Sequence, residues 1–248
     1  MAVLAAIHRF PVKGLGEEAL TEIALEAGRH MPLDRGWALT HGRSIWDAAA
    51  PAHISRRHFV QTADAPALAA TTLSRAGQTL TASGPSGGFT GDIETETGQT
   101  GLADWALQVA GAAQPGPYHM VRLPGSALTD VEDAHLSILS DVSLRALSDA
   151  AGLTLERRRF RGNLWLEGLA PWQEFEWVGR EIMIGALRLR VTERIGRCNA
   201  PAASPASGRR DCPVTEVLHR QWRHTDFGVY AQVVEGGVLR AGDPVLAP

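Results

Sequence analysis

Short stretches rich in hydrophobic residues follow one another along the whole chain, and turn-forming residues separate them. Several of these stretches alternate apolar and polar positions, which is the pattern of a half-buried β-strand. We interpret as strands the residues 3–12, 20–25, 37–40, 59–62, 71–81, 163–167, 181–191, 227–234 and 238–245. Many short strands are typical of a β-barrel or a sandwich, so the sequence predicts a mainly β fold of the α+β class.

Helical spacing of apolar residues is confined to a few segments. It predicts helices over 102–112, 140–151 and 213–222, and Ser140-Asp141 provides an N-cap for the second of them. Residues 82–101 are rich in Gly, Ser and Thr and predict a surface loop. A Gln-Pro-Gly-Pro break after residue 113 predicts a boundary near residue 115, with domains at 1–115 and 116–248.

Composition excludes several classes of function. The net charge of −3 over 248 residues gives no polyanion-binding signature, so nucleic acid and membranes are not expected as partners. The apolar run at the N-terminus is too short for a signal peptide or a transmembrane helix, and we expect a cytoplasmic protein. Two cysteines are too few for a secreted disulfide framework, which agrees with a reducing compartment.

The segment with the clearest chemical potential surrounds Cys198. A predicted strand delivers this cysteine, flanked by arginines, into a loop of small residues that ends at Asp211. Cationic neighbours lower the pKa of a thiol, and a thiolate is a soft ligand for a thiophilic metal. The residues alone leave two interpretations open, a reactive or metal-binding cysteine and an inert cysteine packed at the end of a strand.

A series of motifs in a fixed order resembles the MOSC family. In the second half these are R-C-x8-S-G-x-x-D from Arg197 to Asp211, D-F-G-V-Y-A from Asp226 and G-D-P-V from Gly242. Ahead of them stand S-D-V-S-L from Ser140 and R-F-R-G-N from Arg159. F-P-V-K ending at Lys13 and D-R-G-W from Asp34 resemble the β-barrel domain that precedes MOSC in the amidoxime-reducing component and its bacterial relatives. The resemblance implies a MOSC-type β-barrel packed with an N-terminal β-barrel domain and a few helices.

The resemblance also implies a molybdenum cofactor, a molybdopterin that carries molybdenum, with Cys198 as the metal ligand that the protein supplies. The cofactor phosphate needs cationic donors, and Lys13, Arg35 and Arg161 stand in the matching motifs. Hydrogen bonds to the pterin or phosphate are expected from the polar residues Ser140, Ser143, Asn163 and Thr192. Helix capping by the two serines and turn closure by Asn163 are the alternatives.

Three positions depart from the family pattern. Gly14 and Ser207 replace the usual Ser and Thr, and Gly162 stands where Pro is common. Asp211 is predicted to be catalytic, positioning or protonating the substrate, and its position before Pro213 is equally that of a helix N-cap. We expect Cys212 to be reduced and sheltered.

The function that the resemblance implies is the molybdenum-dependent reduction of N-hydroxylated compounds such as amidoximes, hydroxylamines and hydroxylaminopurines. The chain has no cysteine cluster for an iron–sulfur centre, so a separate haem or iron–sulfur protein must supply electrons. Pyridoxal phosphate is not expected to be required. Two alternatives are a carrier that holds the cofactor or a Cys198 persulfide without turnover of its own, and a cofactor-free β-barrel adaptor.

Overall fold

A computed structural model describes all residues of the chain, Met1–Pro248. Strands account for 33% of the residues and helices for 23%, which confirms the mainly β prediction. The strands are β1 Val3–Arg9, β2 Glu18–Leu20, β3 Glu22–Leu25, β4 Ala38–Thr40, β5 Thr72–Ala76, β6 Thr79–Gly84, β7 Gly87–Asp92, β8 His119–Val121, β9 Leu136–Ser140, β10 Leu164–Glu167, β11 Glu181–Ile184, β12 Leu187–Gly196, β13 Asp226–Glu235, β14 Gly237–Arg240 and β15 Val245–Leu246. The α-helices are α1 Glu96–Ala110, α2 Asp141–Ala151 and α3 Val214–Trp222, with 3-10 turns at Arg56–His58, Pro66–Ala70, Gly111–Ala113, Arg157–Phe160, Gln173–Trp177 and Ala200–Ala202.

The largest sheet has eight strands in the order β15-β11-β12-β13-β9-β10-β1-β2. Its first strand along the chain, β1, therefore pairs with β10 from the second half of the sequence, and β2 pairs with β1 at the edge of the sheet. β10 lies parallel to β9, while the other neighbours in the sheet are antiparallel. The domain boundary near residue 115 stays a prediction, and residues on both sides of it share this sheet.

Backbone hydrogen bonds also join the beginning of the chain to its end. The N–H of Leu4 donates to the carbonyl of Asp243, the N–H of Gly242 to Leu4 and the N–H of Val245 to Ala2. The apolar faces of this sheet and of the antiparallel pair β14-β3 enclose one core of 22 buried residues, which range along the chain from Leu4 to Val245.

A second body is built from the three-stranded sheet β5-β6-β7, the pair β4-β8 and helix α1. Its core of 17 buried residues includes Leu80 and Trp105. The predicted surface loop at 82–101 was wrong in part, because it contains β7 and the first turns of α1. Thr95 caps that helix by accepting from the N–H of Gly98. The sequence pattern did not predict β7, because its glycines pair with β6 through the backbone and provide no apolar side chains.

Other differences concern where strands end. The predicted strands 71–81 and 181–191 are each hairpins, which turn at Gly77 (φ +61°) and Gly185 (φ +56°). Residues 59–62 contribute only one isolated bridge, between Phe59 and Thr40. β9 was missed because all five of its residues are buried, and a strand buried on both faces shows no alternation.

The helices are short relative to a lipid bilayer. None of them is both long and apolar enough to span one.

Candidate functional site

One cavity of about 140 Å³ opens where the start of β9, the end of β12 and the middle of β13 meet segments from the first half of the chain. Six basic side chains and one carboxylate, that of Asp130, line it. The basic residues are Lys13, Arg35, Arg56, Arg159, Arg161 and Arg197. Among the residues predicted from sequence, the structure brings five to this cavity: Lys13, Arg35, Arg161, Asn163 and Cys198.

Cys198 reaches the cavity because β12 ends two residues before it. The N–H of Arg197 donates to the carbonyl of Thr225, which continues the pairing with β13 beyond the last strand residue. The Arg197 guanidinium donates to the backbone carbonyls of Phe227 and Phe160, at 2.9 Å for the bonds from Nε and Nη1. Burial lowers the pKa of Arg197 to about 10. Cys198 is half-buried and forms no disulfide, and it lies just beyond the anchored end of β12.

Arg161 follows the 3-10 turn Arg157–Phe160 in the left-handed conformation, with φ +51°. Its guanidinium lies over the ring of Phe10, with its carbon 4.4 Å from the ring centroid, and Nη1 donates to the carbonyl of Leu15. Nη2 is buried and has no hydrogen-bond partner in the protein. Burial, assisted by the charge of Arg35, lowers the pKa of Arg161 to about 9. An unpartnered buried donor is costly, so this nitrogen is suited to receive an anion.

Arg35 shares the Phe10 ring with Arg161, at 4.5 Å from the centroid. Its Nη2 donates to the carbonyl of Arg161 at 2.9 Å, and Nη1 is paired with the buried carboxylate of Asp34. Asp34 in turn accepts from the N–H of Phe10 at 2.8 Å. The two guanidinium groups are therefore held side by side. Arg35 is paired with Asp34, whereas Arg161 forms no ion pair.

Lys13 also lines the cavity. Its ammonium donates to the carbonyl of Leu128 at 2.9 Å and to the carboxylate of Asp130, which also lies 3.6 Å from Arg56. Burial lowers the pKa of Lys13. Burial alone would raise the pKa of Asp130, but the charge of Lys13 outweighs it and the pKa is lowered. Since its side chain is 42% exposed, Asp130 forms a charged edge of the cavity.

Arg56 was not predicted from the sequence, because it stands in no motif. The pKa of Arg56 is raised: partial burial alone would lower it, but the adjacent Cys198 and Asp130 outweigh that effect. A segment far from Cys198 along the chain thus supplies a cation next to the thiol. The titratable lining residues that motif matching did not assign to the site are Arg56, Arg159, Arg197, Asp130, His135 and Tyr230.

Asp211 does not line the cavity but holds a residue that does. Its two carboxylate oxygens accept from Nη1 and Nη2 of Arg159 at 2.6 and 2.9 Å, and the Arg159 side chain is 1% exposed. Arg159 Nη1 also approaches the carbonyl of Pro201 at 3.4 Å. Both ends of the Cys198 loop are thereby tied to the turn that precedes Arg161. The N-cap interpretation of Asp211 was wrong, because Pro213 occupies the N-cap of α3 and no side chain caps it.

We expect Asp211→Asn to lower the free energy of unfolding by about 1–3 kcal/mol at pH 7, since it weakens a charge-assisted pair with a buried guanidinium. Hydrogen bonding to Arg159 lowers the pKa of Asp211 in the folded state. The stabilisation is therefore present above the unfolded-state pKa and is lost as the pH falls through the folded one. Urea unfolding at pH 7 and below pH 4 measures both values, with the exposed Asp64→Asn as control. A difference that does not shrink in acid contradicts this account.

The hydroxyls of Ser140 and Ser143 are engaged inside the protein. Ser140 caps α2 by accepting from the N–H of Ser143 at 3.3 Å, as the capping alternative anticipated. The Ser143 hydroxyl donates to the carboxyl of Glu174 and accepts from the N–H of Trp172. Neither serine lines the cavity. We therefore leave both out of the cofactor site proposed below.

Thr192 and Asn163 also serve the sheet. Thr192 donates to the carbonyl of Tyr230 at 3.3 Å and does not line the cavity. Asn163 does line it, but its amide oxygen accepts from the N–H and hydroxyl of Ser137, and its amide nitrogen faces the carbonyl of His8. Its role in the structure is to join β9 to β1 behind the cavity.

The family model of the MOSC domain matches residues 106–246. The chain belongs to the MOSC domain family. The MOSC domain is the molybdenum cofactor sulfurase C-terminal-like domain, a module associated with binding of the molybdenum cofactor. Within the matched residues lie Cys198, Arg161 and Arg159, while Lys13, Arg35 and Arg56 come from the residues before the MOSC domain.

Among curated proteins, mitochondrial amidoxime-reducing component 1 of Xenopus laevis is 28% identical over 124 residues. That match covers 44% of this MOSC protein and 35% of the relative, so the chain spans about a third of the relative's length. Among solved structures, the YuaD protein of Bacillus subtilis aligns over 99% of this chain and 94% of its own, with 12% identity and a TM-score of 0.49. YiiM from Geobacillus stearothermophilus aligns over 45% and 52%, with 16% identity and a TM-score of 0.35.

Gly14 in this MOSC protein has a backbone that explains the departure from serine. Its φ is +86°, and a Cβ there would lie 2.4 Å from the carbonyl oxygen of Val60. We expect Gly14→Ser to destabilise the protein by about 2–3 kcal/mol, measured by chemical unfolding. Gly28→Ser is the matched control, because Gly28 also has a positive φ (+67°) but open space around it, and should cost only about 1 kcal/mol. Equal effects of the two substitutions would contradict the clash.

Proposed function

We propose that the chain binds the molybdenum cofactor in the cavity at Cys198 and uses it to reduce N-hydroxylated compounds. The observation that carries the proposal is that one cavity is lined both by Cys198, which forms no disulfide, and by Arg161, whose guanidinium has a buried nitrogen without a hydrogen-bond partner. The name of the Xenopus relative, an amidoxime-reducing component, supplies the substrate class. Amidoximes, hydroxylamines and hydroxylaminopurines belong to that class.

The residues of the cavity fit a phosphate-bearing metal cofactor. Guanidinium groups donate parallel hydrogen bonds to phosphate, and Arg161, which lines the cavity, has an Nη2 that makes no hydrogen bond within the protein. Arg35 stands beside it, and Lys13 adds an ammonium to the same cavity. Thiolate sulfur is a soft ligand that suits a thiophilic metal, and Cys198 is the thiol that the cavity offers.

In this proposal Cys198 ligates the metal, and Arg161, Arg35 and Lys13 hold the phosphate. When bound, the cofactor supplies two-electron redox chemistry that removes oxygen from an N–O bond. The protein fixes the orientation of the site: Arg197 anchors the end of β12, and the Arg159–Asp211 pair anchors the loop after Cys198. Asp211 thus acts as a positioning residue through Arg159. A separate haem or iron–sulfur protein supplies the electrons.

The test is metal content and turnover of protein purified from a host that makes the cofactor. We expect near-stoichiometric molybdenum and reduction of benzamidoxime to benzamidine with an artificial one-electron donor. The Asp64→Asn protein, altered at an exposed acid outside the cavity, should behave as wild type. Molybdenum without turnover of any N-hydroxylated compound would favour a carrier module, and protein that binds no molybdenum would refute the proposal.

A further inference from the structure

Reduction of an N-hydroxyl group consumes protons, so a site with the proposed reductase function needs a proton source. The inference about that source rests on the proposed function. For a hydroxylamine the balance is R–NH–OH + 2 e⁻ + 2 H⁺ → R–NH2 + H2O. The N–O bond breaks, the external haem or iron–sulfur donor provides both electrons, and the oxygen leaves as water. A group of the protein that hands a proton to the leaving oxygen must line the cavity and be able to give up and regain that proton near neutral pH.

Most titratable groups of the lining do not meet this requirement. The pKa of Asp130 is lowered by Lys13, so its carboxyl is ionised at neutral pH and has no proton to give. Burial raises the pKa of Tyr230, so its phenol holds the proton too tightly. The ammonium of Lys13 is engaged with Asp130 and the carbonyl of Leu128. Asp211, predicted from sequence for this step, is locked onto Arg159 outside the cavity.

His135 remains, at the start of β9, and its geometry is defined by two contacts. Its Nδ1 lies 3.0 Å from the carbonyl oxygen of Asp133. A carbonyl oxygen only accepts, so Nδ1 must carry the hydrogen and donate it. This fixes the tautomer and leaves Nε2 as the free, proton-accepting nitrogen. The imidazole packs against the ring of Tyr230, with centroids 5.5 Å apart, which holds it on the wall of the cavity.

We propose that His135 is the general acid of this site and delivers a proton from Nε2 to the oxygen that leaves the substrate nitrogen. The half-buried ring is in contact with solvent, which returns the proton after each turnover. The second proton of the balanced reaction comes from solvent through the open mouth of the cavity. An imidazole that carries a hydrogen on one nitrogen can take up a proton on the other and release it again, which is the transfer that this step needs.

Charged groups on several elements face this imidazole. Asp133 and Asp130 belong to its own loop, and Tyr230 faces it from β13. His30 and His53 lie close enough for their charges to interact with those of the loop, and burial lowers the pKa of His30. His53 binds the carbonyl of Thr129 at 3.1 Å through Nε2. The pH dependence assigned to His135 must therefore be separated from that of these neighbours.

The kinetic test compares His135→Gln with wild type and with His119→Gln, an exposed histidine on β8 outside the cavity. In His135→Gln we expect kcat for benzamidoxime to fall by about 10²–10³-fold, with KM and molybdenum content unchanged. The pH profile of kcat should also change in this variant relative to wild type, because a general acid must be protonated to act. Wild-type kcat and an unaltered pH profile in His135→Gln would overturn the role of His135 while leaving the reductase proposal intact.

A second measurement does not depend on turnover. The ¹⁵N chemical shifts of the histidine rings, assigned with the His135→Gln variant, report which nitrogen carries the hydrogen in the neutral form. We expect the Nδ1–H tautomer for His135, with Nε2 taking up the proton as the pH falls. The Nε2–H tautomer would overturn the proposal. A wild-type protein that reduces no N-hydroxylated compound would overturn the reductase proposal and the role of His135 with it.

Discussion

Replacing Cys198 with serine is expected to abolish turnover of N-hydroxylated compounds and to strip most of the molybdenum from the purified protein. A serine hydroxyl is a harder donor than a thiolate and stays protonated at neutral pH, so it cannot replace the soft ligand. Loss of groups that merely support a metal ligand costs about 10–100-fold, and loss of the ligand itself should exceed that range. Metal analysis and benzamidoxime reduction measure the two effects.

The matched control is Cys212→Ala. Cys212 is buried in an apolar cluster with Val214 and Leu218, and burial raises the pKa of its thiol, so it is a poor ligand. Its substitution should cost about 1 kcal/mol of stability and leave metal content and turnover unchanged. Full metal content and turnover in Cys198→Ser, or loss of both in Cys212→Ala, would show that the wrong cysteine has been assigned.

The sequence predicted the parts of the site that depend on local motifs. The Cys198 loop, the Arg161 turn and the Lys13 segment all reach one cavity, because each motif ends a strand or turn near the same edge of the sheet. Arg56 and His135 could not be found in this way. Neither stands in a motif, and each reaches the cavity through the packing of distant segments around the loop at Asp130.

The polar residues of the motifs illustrate the opposite error. Ser140 and Ser143 stand in a motif that resembles the family's, yet their hydroxyls complete the start of α2 and satisfy Glu174. A motif marks a position that the fold needs, and the fold can need it for capping as much as for binding. For Asp211 the sequence offered a proton relay and a helix cap, whereas the side chain forms an ion pair with a residue 52 positions away.

Arg161 and Arg197 separate binding from folding, because both are half-buried arginines that line one cavity and differ in their hydrogen bonds. Arg197 donates to the carbonyls of Phe227 and Phe160. Arg197→Met should therefore lower the free energy of unfolding by about 3–5 kcal/mol, since it leaves buried carbonyls without donors near the end of β12. Urea unfolding of the cofactor-free protein measures this loss.

Arg161→Met should behave in the opposite way. In the cofactor-free protein the substitution loses the bond to Leu15 but also removes a buried charge whose Nη2 has no partner, so stability should change by less than about 1 kcal/mol. Cofactor retention should fall by about 10–100-fold, because charge-assisted bonds to the phosphate are worth about 1.5–3 kcal/mol. Retention is measured as molybdenum content after dialysis. If Arg161→Met unfolded the protein as readily as Arg197→Met and kept its cofactor, Arg161 would be a structural residue and the phosphate would have to lie elsewhere in the cavity.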